Sequence, residues 1–372
     1  QDYGHSHFHN SLMWGENLHD VSILGPGMIW GKGLIKGEKK GSKEANKSLV
    51  LYNCRNVIVR DVTFFHAGWF AILATGVDNL TIDNVKMDTN RDGMDIDCCR
   101  NVRISNCTVN SPYDDGICLK STYALGFARA TENVTITNCQ VSAYDEGSFL
   151  DGTYKKEDKK AYRTGRIKFG TESNGGFKNI AISNCVFSYC HGLALETVDG
   201  GLLEDVTISN ITMRDIISAP IFLRLGARMR ALQGTPVGEL RRVSISDIRV
   251  YNADADQSCV ISGMPGHDIN DLQLSNIRIY YKGGGTAAQA EKQVPESEKN
   301  YPEPNMFGVT PTYGFYIRHV SGLKLRDIEV SYMNDDARPA FILDDVKGLD
   351  MHNVKGQVLK GVDKIKYVNT VH

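Results

Sequence analysis

Apolar and polar residues alternate along this chain in short bursts, and the bursts recur. In each burst an apolar residue follows Asn or Asp, β-branched residues return at every second position, and a further Asn or Asp stands five positions after the first. Copies occur at Asn56-Val57 with Asp61, Asn79-Leu80 with Asn84, Asn101-Val102 with Asn106, Asn133-Val134 with Asn138, Asn179-Ile180 with Asn184 and Asp205-Val206 with Asn210. Weaker copies stand at Asp271-Leu272 with Asn276 and Gly322-Leu323 with Asp327. Alternation of this kind is the period of a strand. The undecorated spacing, 23 and then 22 residues from Asn56 to Asn79 to Asn101, signals a solenoid in which each unit buries its apolar face by stacking on its neighbours. Leucine-rich repeats share this length but need several leucines per unit, whereas these units are rich in Val, Ile and Asn and show no helical period. The pattern predicts an all-β chain, a single-domain parallel β-helix over residues 1–372 whose repeat runs from about residue 17 to 355, interrupted by insertions at 143–166, 226–240 and 282–314.

Stacking gives the polar positions a purpose. Asn106, Asn138, Asn184 and Asn210 fall at one coil position, where their amides are expected to hydrogen-bond to the rungs above and below. Cys107, Cys139 and Cys185 occupy the next position and are expected to form a buried column, since Cys packs as a small hydrophobe.

Composition then removes whole classes of function. With 42 basic and 44 acidic residues the formal charge is -2, so no general electrostatic case exists for nucleic acid or an anionic membrane. No apolar run approaches the roughly 20 residues that span a bilayer. The nine cysteines include no zinc spacing and no disulfide framework, and Cys98-Cys99 can hardly bridge to itself. His5, His7 and His9 would share one face of a strand, yet no acidic or thiol ligand accompanies them, so they read as polar surface rather than a metal site. No metal or cofactor is expected. A chain starting at Gln1 reads as processed or trimmed.

Chemistry is expected where polar residues interrupt the repeat. Two neighbouring coils do this: Asn90-Arg91-Asp92-Gly93-Met94-Asp95, then Asp114-Asp115-Gly116-Ile117. Aligning Met94 and Ile96 with Ile117 and Leu119 gives an offset of 23 residues and stacks Asp92 beside Asp115, with Asp114 adjacent. Parallel strands lie about 4.8 Å apart. Carboxylates that close raise one another's proton affinity, so one can stay protonated while its neighbours ionise, which supplies an acid and a base together. Asp95 and Asp97 read as ladder residues. A calcium site built from the same carboxylates, as in β-helix polysaccharide lyases, is the alternative.

These paired coils resemble glycoside hydrolase family 28, the polygalacturonase and rhamnogalacturonase family. Residues 165–176 and 301–308 look like its bacterial rhamnogalacturonidase-type branch. The resemblance implies a right-handed, pectin-lyase-like solenoid with further coils at its N-terminus, found as a monomer in a secreted or periplasmic setting. It also implies inverting hydrolysis of α-galacturonic acid linkages in an acidic plant cell-wall polysaccharide or oligosaccharide. Asp114 would be the general acid, Asp92 and Asp115 would activate water, and Asn90 would contact substrate. Two family features are missing. Gly165 stands where the family has the His of Gly-His-Gly, and Leu193-Ala194-Leu195-Glu196 stands where it has Arg-Ile-Lys. Lys120, Arg166, Lys168 and Arg224 are the expected replacements for gripping a uronate, with His191 as a weaker substitute for the lost His. Tyr144, Tyr154, Lys155, Lys156, Tyr162 and Arg163 in the first insertion suit sugar stacking and acidic groups. Large inserts closing one end of a groove would suit exo action. A β-helix lyase and a non-catalytic carbohydrate-binding or adhesin module remain as other readings.

Overall fold

The computed structural model describes residues 8–35, 37, 45–156 and 163–370. The chain forms two compact units, residues 1–190 and 191–372, each built almost entirely of parallel strands. His5, His7 and Tyr162 lie outside the described residues.

In the first unit each coil contributes strands to three parallel ladders. One joins Lys47–Tyr52, Phe70–Thr75, Asp92–Asp97, Ile117–Ser121 and Ile167–Ser173 in order. A second joins Arg55–Phe65, Asp78–Asp83, Arg100–Ser105, Thr131–Thr137 and Phe177–Ser188. A third, shorter ladder joins Lys86–Asp88, Thr108–Asn110 and Gln140–Ser142. The alternating apolar residues stack inward in register, Val57 on Leu80, Val102, Val134 and Ile180, with Val59, Ile82, Ile104, Ile136 and Ile182 beside them. All ten are buried, and each such side chain removed from water contributes about 1.5–3 kcal/mol. The second unit repeats this plan, with Leu193–Thr197, Ile221–Leu225 and Cys259–Ser262 in one ladder and Leu202–Arg214, Glu239–Ala253 and Ile269–Gly283 in another.

The recurring Asn residues turn the chain. Asn56, Asn79, Asn101, Asn133 and Asn179 all have φ between 54° and 56°, the left-handed region that Asn tolerates better than most side chains. Each donates its amide to the preceding rung: Asn79 to Asn56 at 3.0 Å, Asn101 to Asn79 at 3.3 Å, Asn133 to Asn101 at 3.1 Å and Asn179 to Asn133 at 2.8 Å. The ladder expected at the second position of the repeat exists in mixed form. Asn138 donates to Asn106 at 3.3 Å, but Asn106 donates to Asp83 at 2.8 Å rather than to Asn84. Cys107, Cys139 and Cys185 form the buried column, and each thiol donates to the carbonyl two residues before it at 3.2 to 3.3 Å.

The first insertion folds back on the third ladder. Asp88, fully buried, accepts from the backbone N–H of Gly147 at 2.9 Å and of Leu150 at 3.0 Å, as well as from the Asn110 amide at 2.9 Å. Asn110 completes the anchor by accepting from the Tyr144 N–H at 2.8 Å.

Candidate active site

The two polar motifs lie on consecutive rungs in the register their spacing predicts. Met94 pairs with Ile117 and Ile96 with Leu119, so Asp92 and Asp115, each two residues ahead, sit side by side. The backbone locks them there: the N–H of Gly93 donates to Asp115 O at 3.0 Å, and that of Gly116 donates to Arg166 O at 2.8 Å. A Cβ on Gly93 would meet Gly116 O and a Val109 methyl at 2.4 Å, so only glycine lets the two coils approach this closely.

One oxygen from each of Asp92, Asp114 and Asp115 lies within 4.8 Å of the other two. Asp92 and Asp115 are 2% exposed, whereas the Asp114 side chain keeps 26% of its surface open. Burial, then the charges of Asp114 and Asp95, push the Asp92 carboxyl well above the usual range, against the opposing pull of Arg91 and Lys120. Asp92 therefore gives up its proton at a higher pH than an exposed carboxylic acid does. Arg91 pairs with Asp114, approaches Asp92 at 4.0 Å and lies over the Trp69 ring at 4.4 Å. Burial opposes its charge, but Asp114 and Asp92 outweigh that and drive its pKa up.

The expected substrate clamp divides into two groups. Arg166 and Lys168 converge on Asp115, with Arg166 Nε donating to Oδ1 at 2.8 Å and Lys168 Nζ 3.4 Å from Oδ2. Both are at most 2% exposed, so they hold Asp115 rather than line an open groove. Gly165 has φ of 57°, and a Cβ there would meet Ser142 O at 2.2 Å. This backbone has no room for a histidine, and the cation beside Asp115 comes from the next residue. Lys120 is turned between Asp95 at 3.6 Å and Glu172 at 3.2 Å, and these carboxylates raise its pKa against the effect of burial. It acts as a half-buried counter-ion to these two carboxylates.

Arg224 lies in the second unit and is 1% exposed. Its guanidinium donates to Ser262 Oγ at 2.7 Å, Gly263 O at 2.8 Å and Glu296 O at 2.9 Å. Burial and the neighbouring Arg318 push it down to about 10. It is spent on fastening the third insertion, not presented to a ligand. His191 is half-buried at the start of the same unit. Asn90 does line open space: its amide donates to Glu146 Oε2 at 3.0 Å, and Glu146 Oε1 is 2.9 Å from His66 Nδ1. Arg91, Glu172, Glu146 and His66 escape sequence reasoning. For Arg91 the available signal was a cation directly before an Asp at a break in the repeat. The insertion aromatics pack on one another, with Tyr144 against Tyr189 and Tyr154 at ring separations of 5.6 and 5.4 Å.

Calcium takes six to eight oxygen ligands. Here Arg91 already pairs with Asp114, and Arg166 and Lys168 with Asp115. The donor set fits a divalent ion poorly. Among the described residues no helix is long and apolar enough to cross a membrane.

Stacked parallel coils in this register form a right-handed parallel β-helix. The resemblance to family 28 is borne out over residues 2–147, which match the sequence model of Glycosyl hydrolases family 28. No curated protein matches the chain. Among solved structures, an exopolygalacturonase from Thermotoga maritima is similar with a TM-score of 0.56 at 18% identity, covering 72% of this chain and 66% of that one. A family 28 exopolygalacturonase from Yersinia enterocolitica has a TM-score of 0.63 at 14% identity, covering 89% and 60%. This chain thus spans less than two thirds of the length of either. The surface protein and adhesin PfbA of Streptococcus pneumoniae is similar over 98% of this chain and 93% of its own, with a TM-score of 0.53 at 11% identity. At these identities the likeness is one of fold.

Proposed function

We propose that this protein is a secreted or periplasmic glycoside hydrolase that removes galacturonic acid residues from acidic cell-wall polysaccharide, acting from chain ends with inversion. The observation that carries the reading is the cluster of Asp92, Asp114 and Asp115, in which burial and neighbouring charge raise the Asp92 carboxyl and the Asp114 side chain stays 26% exposed. A merely structural coil gains nothing from three carboxylates within 4.8 Å of one another. In the proposed cycle the incoming sugar separates Arg91 from Asp114. The proton then moves from Asp92 to Asp114, Asp114 donates it to the glycosidic oxygen, and the ionised Asp92 and Asp115 activate water. Inversion comes from the family resemblance, and the galacturonic acid and chain-end preference are supported by the two structural relatives being exopolygalacturonases. A second reading, favoured by the raised pKa of the Asp92 carboxyl, makes Asp92 itself the acid.

The test incubates the protein with galacturonan and rhamnogalacturonan oligosaccharides in chelator. It follows reducing ends and the anomer of the first product by NMR. Release of monomeric galacturonic acid with inverted configuration supports the proposal, and an early ladder of oligosaccharides sinks chain-end action. Asp114→Asn should lower the rate about 10²–10⁴-fold, the usual contribution of a positioned acid. A substrate with a good leaving group restores turnover to the variant lacking the acid, which separates Asp114 from Asp92 in that role. An unsaturated product that forms only with calcium would mean a lyase, and no product from either glycan would leave a binding module.

A further inference from the structure

Beside the carboxylate cluster, towards the N-terminal coils of the first unit, lies a cavity of about 690 Å³. Its walls include Trp30, Lys32, Gly33, His66, Asn90 and Glu146. Trp30, Phe65 and Asp88 occupy one position on three successive coils, so Trp30 lies two rungs, about 10 Å, from the coil edge that leads into Asp92. Trp30 is 52% exposed, and its ring is stacked 6.5 Å from that of Phe65. A large aromatic left open in a concave site is a ready platform for the apolar face of a sugar ring.

The polar groups around it are arranged for a uronate. Both Glu146 oxygens are engaged, one by His66 and the other by Asn90, so that carboxylate is directed into the wall. Asn90 Oδ1 is left buried with no hydrogen-bond partner among the described residues, an acceptor waiting for a hydroxyl donor. Lys32 Nζ stands 5.2 Å from the Trp30 ring centre and places a positive charge on this wall. Gly33 has φ of 92°, and a Cβ there would meet nothing, so this part of the wall is bare backbone.

We propose that this cavity is a sugar subsite that takes one uronic acid pyranose. Trp30 stacks on its ring, Asn90 accepts from a hydroxyl and Lys32 faces its carboxylate. The proposal rests on the reading of the adjacent cluster as a hydrolytic centre, and binding can be measured without hydrolysis. The experiment titrates galacturonic acid oligosaccharides of two to four units into Asp114→Asn protein by calorimetry, alone and combined with Trp30→Ala or Lys32→Met. Both positions are at the surface, and thermal melts check folding. The expected result is roughly tenfold weaker binding for either addition, with a matching rise in KM when each is placed in the active protein. A galactose oligosaccharide should bind weakly and ignore Lys32→Met. Unchanged affinity in both variants overturns the subsite even if the protein hydrolyses galacturonan. Trp30-dependent and Lys32-dependent binding without any hydrolysis upholds the subsite and removes the proposed function instead.

Discussion

Asp92 concentrates the electrostatic tension of the cluster in one carboxyl group. It is buried, faces Asp114 and Asp95, and has its pKa raised by burial first and by those charges second. A folded-state pKa above the unfolded one contributes stability below the unfolded value, near 3.8. That contribution is lost as pH rises through the folded pKa. Asp92→Asn should therefore stabilise the protein at pH 7–8, by about 2–4 °C in Tm for each kcal/mol of repulsion removed. The gain should shrink as pH falls towards 4, and melts across that range check it. A gain that stayed constant with pH would mean the carboxyl is not held protonated. The pair of Arg166 and Gly165 teaches a related lesson. Position 165 has no space for a side chain, and the next residue, Arg166, brings its guanidinium to Asp115.

At the scale of strands and turns, the Asn ladder does two jobs that substitutions can separate. Asn101 sits at φ 55° and bonds both to Asn79 and to Asn133. Asn101→Gly keeps the backbone conformation at ease and loses only the amide bonds, whereas Asn101→Ala loses both. Urea unfolding should show the Ala variant less stable than the Gly variant by about 1–2 kcal/mol, the cost of a left-handed conformation for a residue with a Cβ. Equal losses would assign the position to hydrogen bonding alone. The first insertion depends on Asp88 in the same local way, because that single carboxylate accepts from Gly147 and Leu150 and so keeps Glu146 against His66 and Asn90. Asp88→Ala should expose the segment from 145 to 156 to protease and raise KM by about tenfold while kcat changes less, since it loosens binding rather than the reacting groups. An unaltered cleavage pattern would count against the anchor.

Across the whole chain, the apolar stacking extends to the thiols. All nine cysteines are free and buried. Burial, the principal cause for Cys98, Cys99, Cys118 and Cys190, pushes those thiols up and away from the reactive thiolate. Native protein should release almost no colour with a thiol-reactive disulfide reagent, denatured protein should titrate nine thiols, and reductant should leave the Tm unchanged. Fast labelling of the native state would contradict this packing.

How much was legible depended on the range of the interaction. Strand alternation, the coil period, the Cys107 column and the stacking of Asp92 on Asp115 follow from spacing alone. In a solenoid, residues one period apart become neighbours whatever the rest of the chain does, so a 23-residue offset is already a contact. The partners of the cations were not written in that period. Arg166 and Lys168 turn onto Asp115, Lys120 lies between Asp95 and Glu172, and Arg224 fastens the third insertion. Long side chains choose among several charges within reach, and that choice depends on burial and on where the insertions fold. Sequence by itself determined the β-helix and the three carboxylates, because both are set by a repeat along the chain. Only the tertiary structure decided which cations lie against them, that burial and charge raise the Asp92 carboxyl and that a cavity opens beside Trp30, because those depend on atoms brought together from coils and loops that share no period.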